Sequence, residues 1–171
     1  LILYAPTFRD YKLSSEEELE KVEGLAKLLP SDYILGFRLH PHVAGLVKKR
    51  NIEKVCDLSG DRDLASLIMA SDILITDYSS VFFDYANLRR PMLFFTYDLE
   101  KYRDILRGFY LDIEREVPGP LLFTTEEVID AINNIDRISK EYEQRYDEFY
   151  QRFCQWEDGH ASKKVVELVF K

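Results

Sequence analysis

The chain has 171 residues, is 46% hydrophobic and carries a formal charge of −8, which is enough for one domain with a full core and short for two. This acidic balance excludes broad nucleic-acid or membrane-surface binding through a basic face, because counterion release and lipid attraction both need clustered Lys and Arg. Cys56 and Cys154 stand far apart with no Cys/His spacing around them, so neither a zinc site nor a disulfide framework is signalled.

No apolar run approaches the roughly 20 residues that span a bilayer, and no signal peptide opens the chain, so an intracellular protein is expected. The first residues, Leu1-Ile2-Leu3-Tyr4-Ala5, form an apolar strand without a leading methionine, and the chain is read as a piece of something longer. Ser15-x-x-Glu18 is a capping box, followed by Leu19, Val22, Ala26 and Leu29 at helical spacing until Pro30. A second strand is expected over Tyr33 to Leu39, ending on His40-Pro41-His42. The cluster Lys48-Lys49-Arg50 is too small for lipid binding and reads as a solvated loop. A short strand near Val55 to Leu58 leads into Ser59-Gly60 and then a helix opened by Asp61 or Asp63, with Leu64, Leu67 and Ile68 on one face.

Ile73 to Thr76 is a buried strand that runs into Asp77-Tyr78-Ser79-Ser80 and a helix carrying Asp84. Arg89-Arg90-Pro91 ends that helix, and Met92-Leu93-Phe94-Phe95 is another continuous apolar strand. Tyr97 to Pro120 has weak periodicity and reads as a long loop with one short helix, a class of segment that is often functional. Leu121-Leu122-Phe123 is a last short strand, and Thr124-x-x-Glu127 is a second capping box ahead of Val128, Ile129, Ile132 and Ile135. Tyr142, Tyr146, Phe149, Tyr150 and Phe153 form an aromatic stripe assigned to packing. Asp158-Gly159 precedes a closing helix with Val165, Leu168 and Val169. The alternation of apolar strands with helical periodicity predicts a single α/β domain over residues 1–171, a parallel sheet with crossover helices.

In open parallel sheets ligands bind beyond the carboxyl ends of the strands, and those positions are unusually polar here. The first strand exits through Thr7 and Arg9, the second through Arg38, His40, Pro41 and His42, the third through Ser59 and Gly60, and the fourth through Thr76, Asp77, Ser79 and Ser80. Hydroxyls, backbone donors, an arginine and histidines suit a diphosphate better than a carbonyl or a metal. His40 follows a buried strand, is fixed by Pro41, and has the chemistry to donate to a phosphate oxygen or accept a proton near neutral pH. If the strand persists through His42 the two imidazoles point to opposite sides, and with no third ligand they make a poor zinc site. Asp77 beside the phosphate position reads as a residue that orients its loop. No Walker motif, GxGxxG or GxSxG is present, which argues against P-loop hydrolysis, dinucleotide redox chemistry and a serine-hydrolase elbow.

Ala-Pro-Thr-Phe-Arg-Asp at 5–10, Arg-Leu-His-Pro at 38–41, Ile-Thr-Asp-Tyr-Ser-Ser-Val-Phe-Phe-Asp-Tyr at 75–85, Arg-Pro at 90–91 and Asp-Gly-x-Ala-Ser at 158–162 together resemble the CDP-glycerol glycerophosphotransferases of bacterial teichoic acid synthesis. The resemblance implies a Rossmann-like fold, the C-terminal, nucleotide-binding half of a GT-B architecture, with the N-terminal half absent. It implies transfer of glycerol phosphate from CDP-glycerol, or a related CDP-polyol, to a lipid-linked polyol phosphate acceptor reached through the other half, with CMP leaving. On this resemblance His40 acts at the diphosphate, Thr76, Ser79 and Ser80 form the phosphate-binding loop, and Asp158 and Gly159 lie near the nucleotide. The family's second active-site histidine falls in the absent half. The resemblance further implies a place at the inner face of the cell membrane, with peripheral association and no nucleic-acid partner. No cofactor or resident metal is expected, and a divalent metal requirement is left open. Two alternatives stay open on the residues: a related GT-B transferase using CDP-ribitol or a nucleotide sugar, and a noncatalytic nucleotide-binding or regulatory domain.

Overall fold

The computed structural model describes residues 1–7, 15–39, 41–50, 52–60, 63–106 and 108–170. Three-residue strands β1 (Ile2–Tyr4), β2 (Leu35–Phe37) and β3 (Val55–Asp57) alternate with α1 (Ser15–Leu28), α2 (Pro41–Arg50) and α3 (Leu64–Ala70). They are followed by β4 (Ile73–Thr76), α4 (Val81–Ala86) and β5 (Met92–Phe95). Next come α5 (Leu99–Lys101), a π-helical turn (Tyr102–Leu106) and α6 (Ile113–Glu116), then β6 (Leu121–Leu122). Helices α7 (Thr125–Asn133), α8 (Ile135–Glu141), α9 (Glu143–Phe153) and α10 (Ala161–Val169) complete the chain.

Among the described residues the six strands are all parallel, in the order β3-β2-β1-β4-β5-β6. The central strands β1 and β4 are buried at every position and apolar apart from Thr76 and the Tyr4 hydroxyl, because helices cover both faces of the sheet. Alternate side chains feed two cores. On one face Ile2, Tyr4, Phe37, Ile75 and Phe95 pack under α1, α2 and α7. On the other, Leu3, Leu74, Met92 and Phe94 pack under α3, α4 and α9.

The expected α/β sheet is present, and the elements differ from expectation in instructive places. Backbone bonds continue past the formal strand ends, with Ala5 N donating to Ile75 O at 2.9 Å and Arg38 N to Tyr4 O at 2.8 Å, so the longer strands read from the sequence are strand plus exit. Asp63, not Asp61, caps α3, its carboxylate accepting from Ser66 N; Asp61 lies outside the described residues. Lys48-Lys49-Arg50 closes α2 instead of forming a loop, and Arg50 pairs with Glu23 at 2.9 Å. Ile135 opens a separate helix, because Asn134 (φ −113°, ψ 28°) breaks the run and its side chain bonds back to Asp130 O. The Tyr97 to Pro120 segment holds three short helical pieces where one was expected.

The aromatic stripe of α9 packs as read: Phe149 is buried against Phe82 and Phe83 with centroids 5.7 and 5.4 Å apart. Tyr146 Oη donates to Arg90 O at 2.9 Å. Arg90 in turn clamps the end of α3, donating to Met69 O and Ser71 O. The Tyr85 hydroxyl shares Ser71 O, and burial pushes its pKa up to about 12. Gly119 is sterically required, since a Cβ there would lie 2.1 Å from Met92 O at the start of β5. Among the described residues no helix is long and apolar enough to cross a membrane.

Candidate functional site

The chain builds outward from β1 to β2 and β3, then crosses back and builds the other way through β4, β5 and β6. The loops leaving β1 and β4 therefore diverge, and a crevice opens at their carboxyl ends, where ligands of open α/β sheets bind. Asp77 spans this point. It is 1% exposed, and its Oδ1 accepts from Thr7 N at 2.8 Å, across the crevice, and from the adjacent Tyr78 N. A carboxylate taking two backbone N–H groups fixes both exits together, which is the orienting role read from the sequence.

Thr76 departs from its expected place in a phosphate-binding loop. It is fully buried, and its Oγ1 donates to Ala5 O at 2.8 Å, so its hydroxyl hydrogen is committed to tying β4 to β1. Ser79 and Ser80 follow Asp77 directly. Ser80 holds the N-cap position of α4 but makes no side-chain cap bond, and Ser79 Oγ meets Val81 N only at 3.5 Å. The reading that these serines merely cap their helix thus has little geometric support. With six residues α4 is a short source of dipole, so the hydroxyls themselves are the donors to weigh at this exit.

A second pin joins the exits of β2 and β3. Leu39 N donates to Ser59 Oγ at 3.0 Å, while Ser59 N donates to Asp57 Oδ1 at 2.9 Å. Ser59 therefore grips the backbone at the residue before His40, and Asp57 holds Ser59. Asp57 was not singled out from the sequence; the signal was the Asp-x-Ser spacing of an Asx turn. Gly60 is exposed, and a Cβ there would meet nothing within 4 Å.

Arg38 is half-buried, and its Nε is buried without a hydrogen-bond partner among the described residues. The Asp63 carboxyl is held below its usual range chiefly by the Ser66 amide, with the Arg38 guanidinium contributing, which puts that cation's field at the start of α3. A buried N–H on a permanent cation is a donor suited to an anion.

His40 and Arg9 lie outside the described residues. Pro41 and His42 open α2, so the extended backbone expected through His42 is replaced by helix, as suits proline at a first helical position. Asp158 and Gly159 form the exposed turn between α9 and α10. Asp158 accepts from Lys164 Nζ at 2.7 Å and from His160 N at 3.0 Å, and the ammonium bond, the larger cause, holds its carboxyl below the usual range. Among the described residues these bonds tie the turn to itself and to α10 and do not join it to the strand exits. Gly159 has φ 79°, a left-handed conformation that favours glycine. No group of three His, Cys, Asp or Glu among the described residues could hold a metal ion.

The sequence reading passed over Tyr78, whose Oη donates to Asp98 Oδ1 at 3.0 Å, joining the β4 exit to the β5 exit. Tyr78 also stacks on Tyr102 with centroids 4.0 Å apart. The available signal was the density of aromatic residues in a segment without apolar periodicity.

The crevice thus collects hydroxyl and cationic donors at four adjacent strand exits, a set matched to an acceptor-only ligand such as a diphosphate. The family model for CDP-glycerol:poly(glycerophosphate) glycerophosphotransferase matches residues 1–171. The chain belongs to this family. It is 47% identical over 180 residues to a teichoic acid poly(glycerol phosphate) polymerase of Bacillus subtilis (strain 168), covering 100% of this chain and 24% of the relative. It is 40% identical over 176 residues to a teichoic acid glycerol-phosphate transferase of Staphylococcus aureus (strain NCTC 8325 / PS 47), covering 100% of this chain and 45% of the relative. Among solved structures it resembles a variant of the wall teichoic acid polymerase TagF soaked with CDPG, with a TM-score of 0.82 and 37% identity over 99% of this chain and 41% of that one. The chain therefore spans less than half the length of these family members.

Proposed function

We propose that this chain is the donor-nucleotide-binding half of a GT-B glycerophosphotransferase, which moves glycerol phosphate from CDP-glycerol to the terminal hydroxyl of a lipid-linked polyol phosphate chain. The observation that carries this reading is the likeness, over 99% of the chain, to TagF soaked with CDPG, which we read as CDP-glycerol. In the reaction the acceptor oxygen bonds to the phosphorus bearing glycerol, the bond from that phosphorus to the bridging oxygen breaks, and CMP leaves with that oxygen. The acceptor proton passes to a base, either His40 or a group supplied by the other half. Phosphoryl transfer depends mainly on positioning and charge stabilisation. Hydroxyls of Ser79 and Ser80, the Arg38 guanidinium and the His40 imidazole would hold the diphosphate, with Thr7, Ser59 and Asp77 fixing the loops that carry them. Arg9, Pro41, His42 and Gly60 complete the proposed donor site by their positions at the strand exits, and Asp158 and Gly159 by family resemblance. The acceptor places the working enzyme at the inner face of the cell membrane.

Calorimetric titration of the chain with CDP-glycerol, CMP and a UDP-sugar tests this, repeated on His40→Ala. Saturable binding that prefers the cytidine ligands is expected, weakened about tenfold or more in the variant, the scale of one hydrogen bond to a charged group. Equal affinity for the UDP-sugar, or an unchanged affinity in His40→Ala, contradicts the proposal. The isolated chain is expected to bind donor without turnover, and measurable transfer by it would overturn the division of labour between halves.

A further inference from the structure

A cavity of about 270 Å³ is walled by Pro91, Met92, Pro118, Ile138, Tyr142 and Tyr146 among others. Pro91 and Pro118 stand just before β5 and β6, so the cavity opens at the amino edge of the sheet, opposite the donor crevice. Its volume lies just under the roughly 300–1,000 Å³ of typical ligand pockets, and an apolar wall with a few placed polar groups is their usual form. The frame is fixed on several sides. Gly119 lies against the backbone of Met92, and Tyr146 Oη donates to Arg90 O. Arg89, also on the rim, has φ 53°, a left-handed conformation that a residue with a Cβ disfavours. Its guanidinium is held there by Asp147 and lies 4.8 Å from the Tyr150 ring centroid. Strain of this kind persists where the surroundings over-determine it, as at ligand clamps.

The charged lining selects the occupant. Arg89, Arg90 and Lys140 face one carboxylate, Glu143, in a chain whose net charge is −8. Arg90 commits Nη1 to Met69 O and Ser71 O at 2.8 and 2.6 Å. Lys140 and Glu143 form no ion pair among the described residues. An ammonium only donates and suits an anion, whereas a carboxylate only accepts and suits hydroxyls. The apolar walls take C–H groups. A phosphorylated polyol carries all three kinds of group. We infer that this cavity binds a small phosphorylated polyol, its phosphate at Lys140 and Arg90 and its hydroxyls at Glu143. A free polyol monoester and one unit of a polyol phosphate chain share this chemistry. The site is separate from the donor crevice, and it stands without the donor-binding reading above.

Titration calorimetry with glycerol phosphate, glycerophosphoglycerol and inorganic phosphate tests this, with and without excess CMP, on the parent chain, Lys140→Ala and Glu143→Gln. Both side chains are exposed, so both variants should fold, which thermal unfolding checks. The expected result is saturable binding of glycerol phosphate that survives excess CMP. It should weaken about tenfold in Lys140→Ala and about threefold in Glu143→Gln, while inorganic phosphate loses affinity in Lys140→Ala alone. Tighter binding of glycerophosphoglycerol would assign the site to a polyol phosphate chain, and tighter binding of the monoester to a free metabolite; either result supports the inference. No saturable binding of either polyol phosphate at millimolar concentration, an affinity unchanged in either variant, or displacement by CMP would overturn it. If CMP itself does not bind, the donor-binding reading falls, and the two variants still decide this site.

Discussion

Asp77 and Thr76 are neighbours with opposite assignments, and burial decides between them. Both are buried polar residues at the end of β4, where an unmade hydrogen bond is costly. The Thr76 hydroxyl reaches back to Ala5 O within the sheet, while the Asp77 carboxylate reaches across to Thr7 N. Asp77→Ala would strip the acceptor from Thr7 N and Tyr78 N. A loss of about 2–4 kcal/mol is expected, about 1–2 kcal/mol for each of the two half-buried amides, the lower part of the cost of a buried group left unsatisfied. Urea unfolding measures it as a lowered midpoint with unchanged slope; Asp77→Asn, which keeps one amide oxygen as acceptor, should lose less. A midpoint unchanged in Asp77→Ala would mean that the carboxylate does not hold the two exits. At this scale the sequence offered Asp77 as a loop-orienting residue because it stands next to the proposed phosphate, and its bonds to Thr7 N and Tyr78 N are of the kind that reading calls for. It did not reveal that Thr76 faces inward, since that depends on strand register against β1.

Elements with strong local chemistry were legible. Thr124 Oγ1 accepts from Glu127 N at 3.2 Å and Glu127 Oε2 accepts from Thr124 N at 3.1 Å, the capping box expected from four residues of sequence. Thr124→Ala should lower stability by about 1 kcal/mol, read in the same urea titration, whereas no loss would mean that the cap is redundant with the packing of α7. The 97–117 segment was less legible for a physical reason. Its helical pieces are of three to five residues, too short for periodicity to register. Ring stacking between Tyr78, Tyr102 and Phe109 is tertiary information, and it orders a stretch that local propensity leaves open. The closing helix departs in the other direction: its periodicity was plain, yet Val165, Leu168 and Val169 are 57%, 75% and 66% exposed, so amphipathic pattern did not by itself predict burial.

For the whole molecule, the alternation of apolar strands and helices specified a parallel α/β sheet, and the polar residues after each strand pointed to its carboxyl edge, the edge proposed for the donor. Strand order was not legible, because the crossover from β3 to β4 depends on which helices pack on which face. That order places β1 beside β4 and brings Thr7 to Asp77, seventy residues away along the chain. The central claim is that a cytidine diphosphate donor sits at this point of reversal. Mapping backbone amide NMR shifts of the chain during titration with CDP-glycerol tests it most directly. Saturating shifts concentrated at Thr7, Leu39, Ser59, Ser79 and Ser80 are expected; saturating shifts confined to surfaces away from these strand exits, or none at millimolar ligand, would rule the donor out of this crevice.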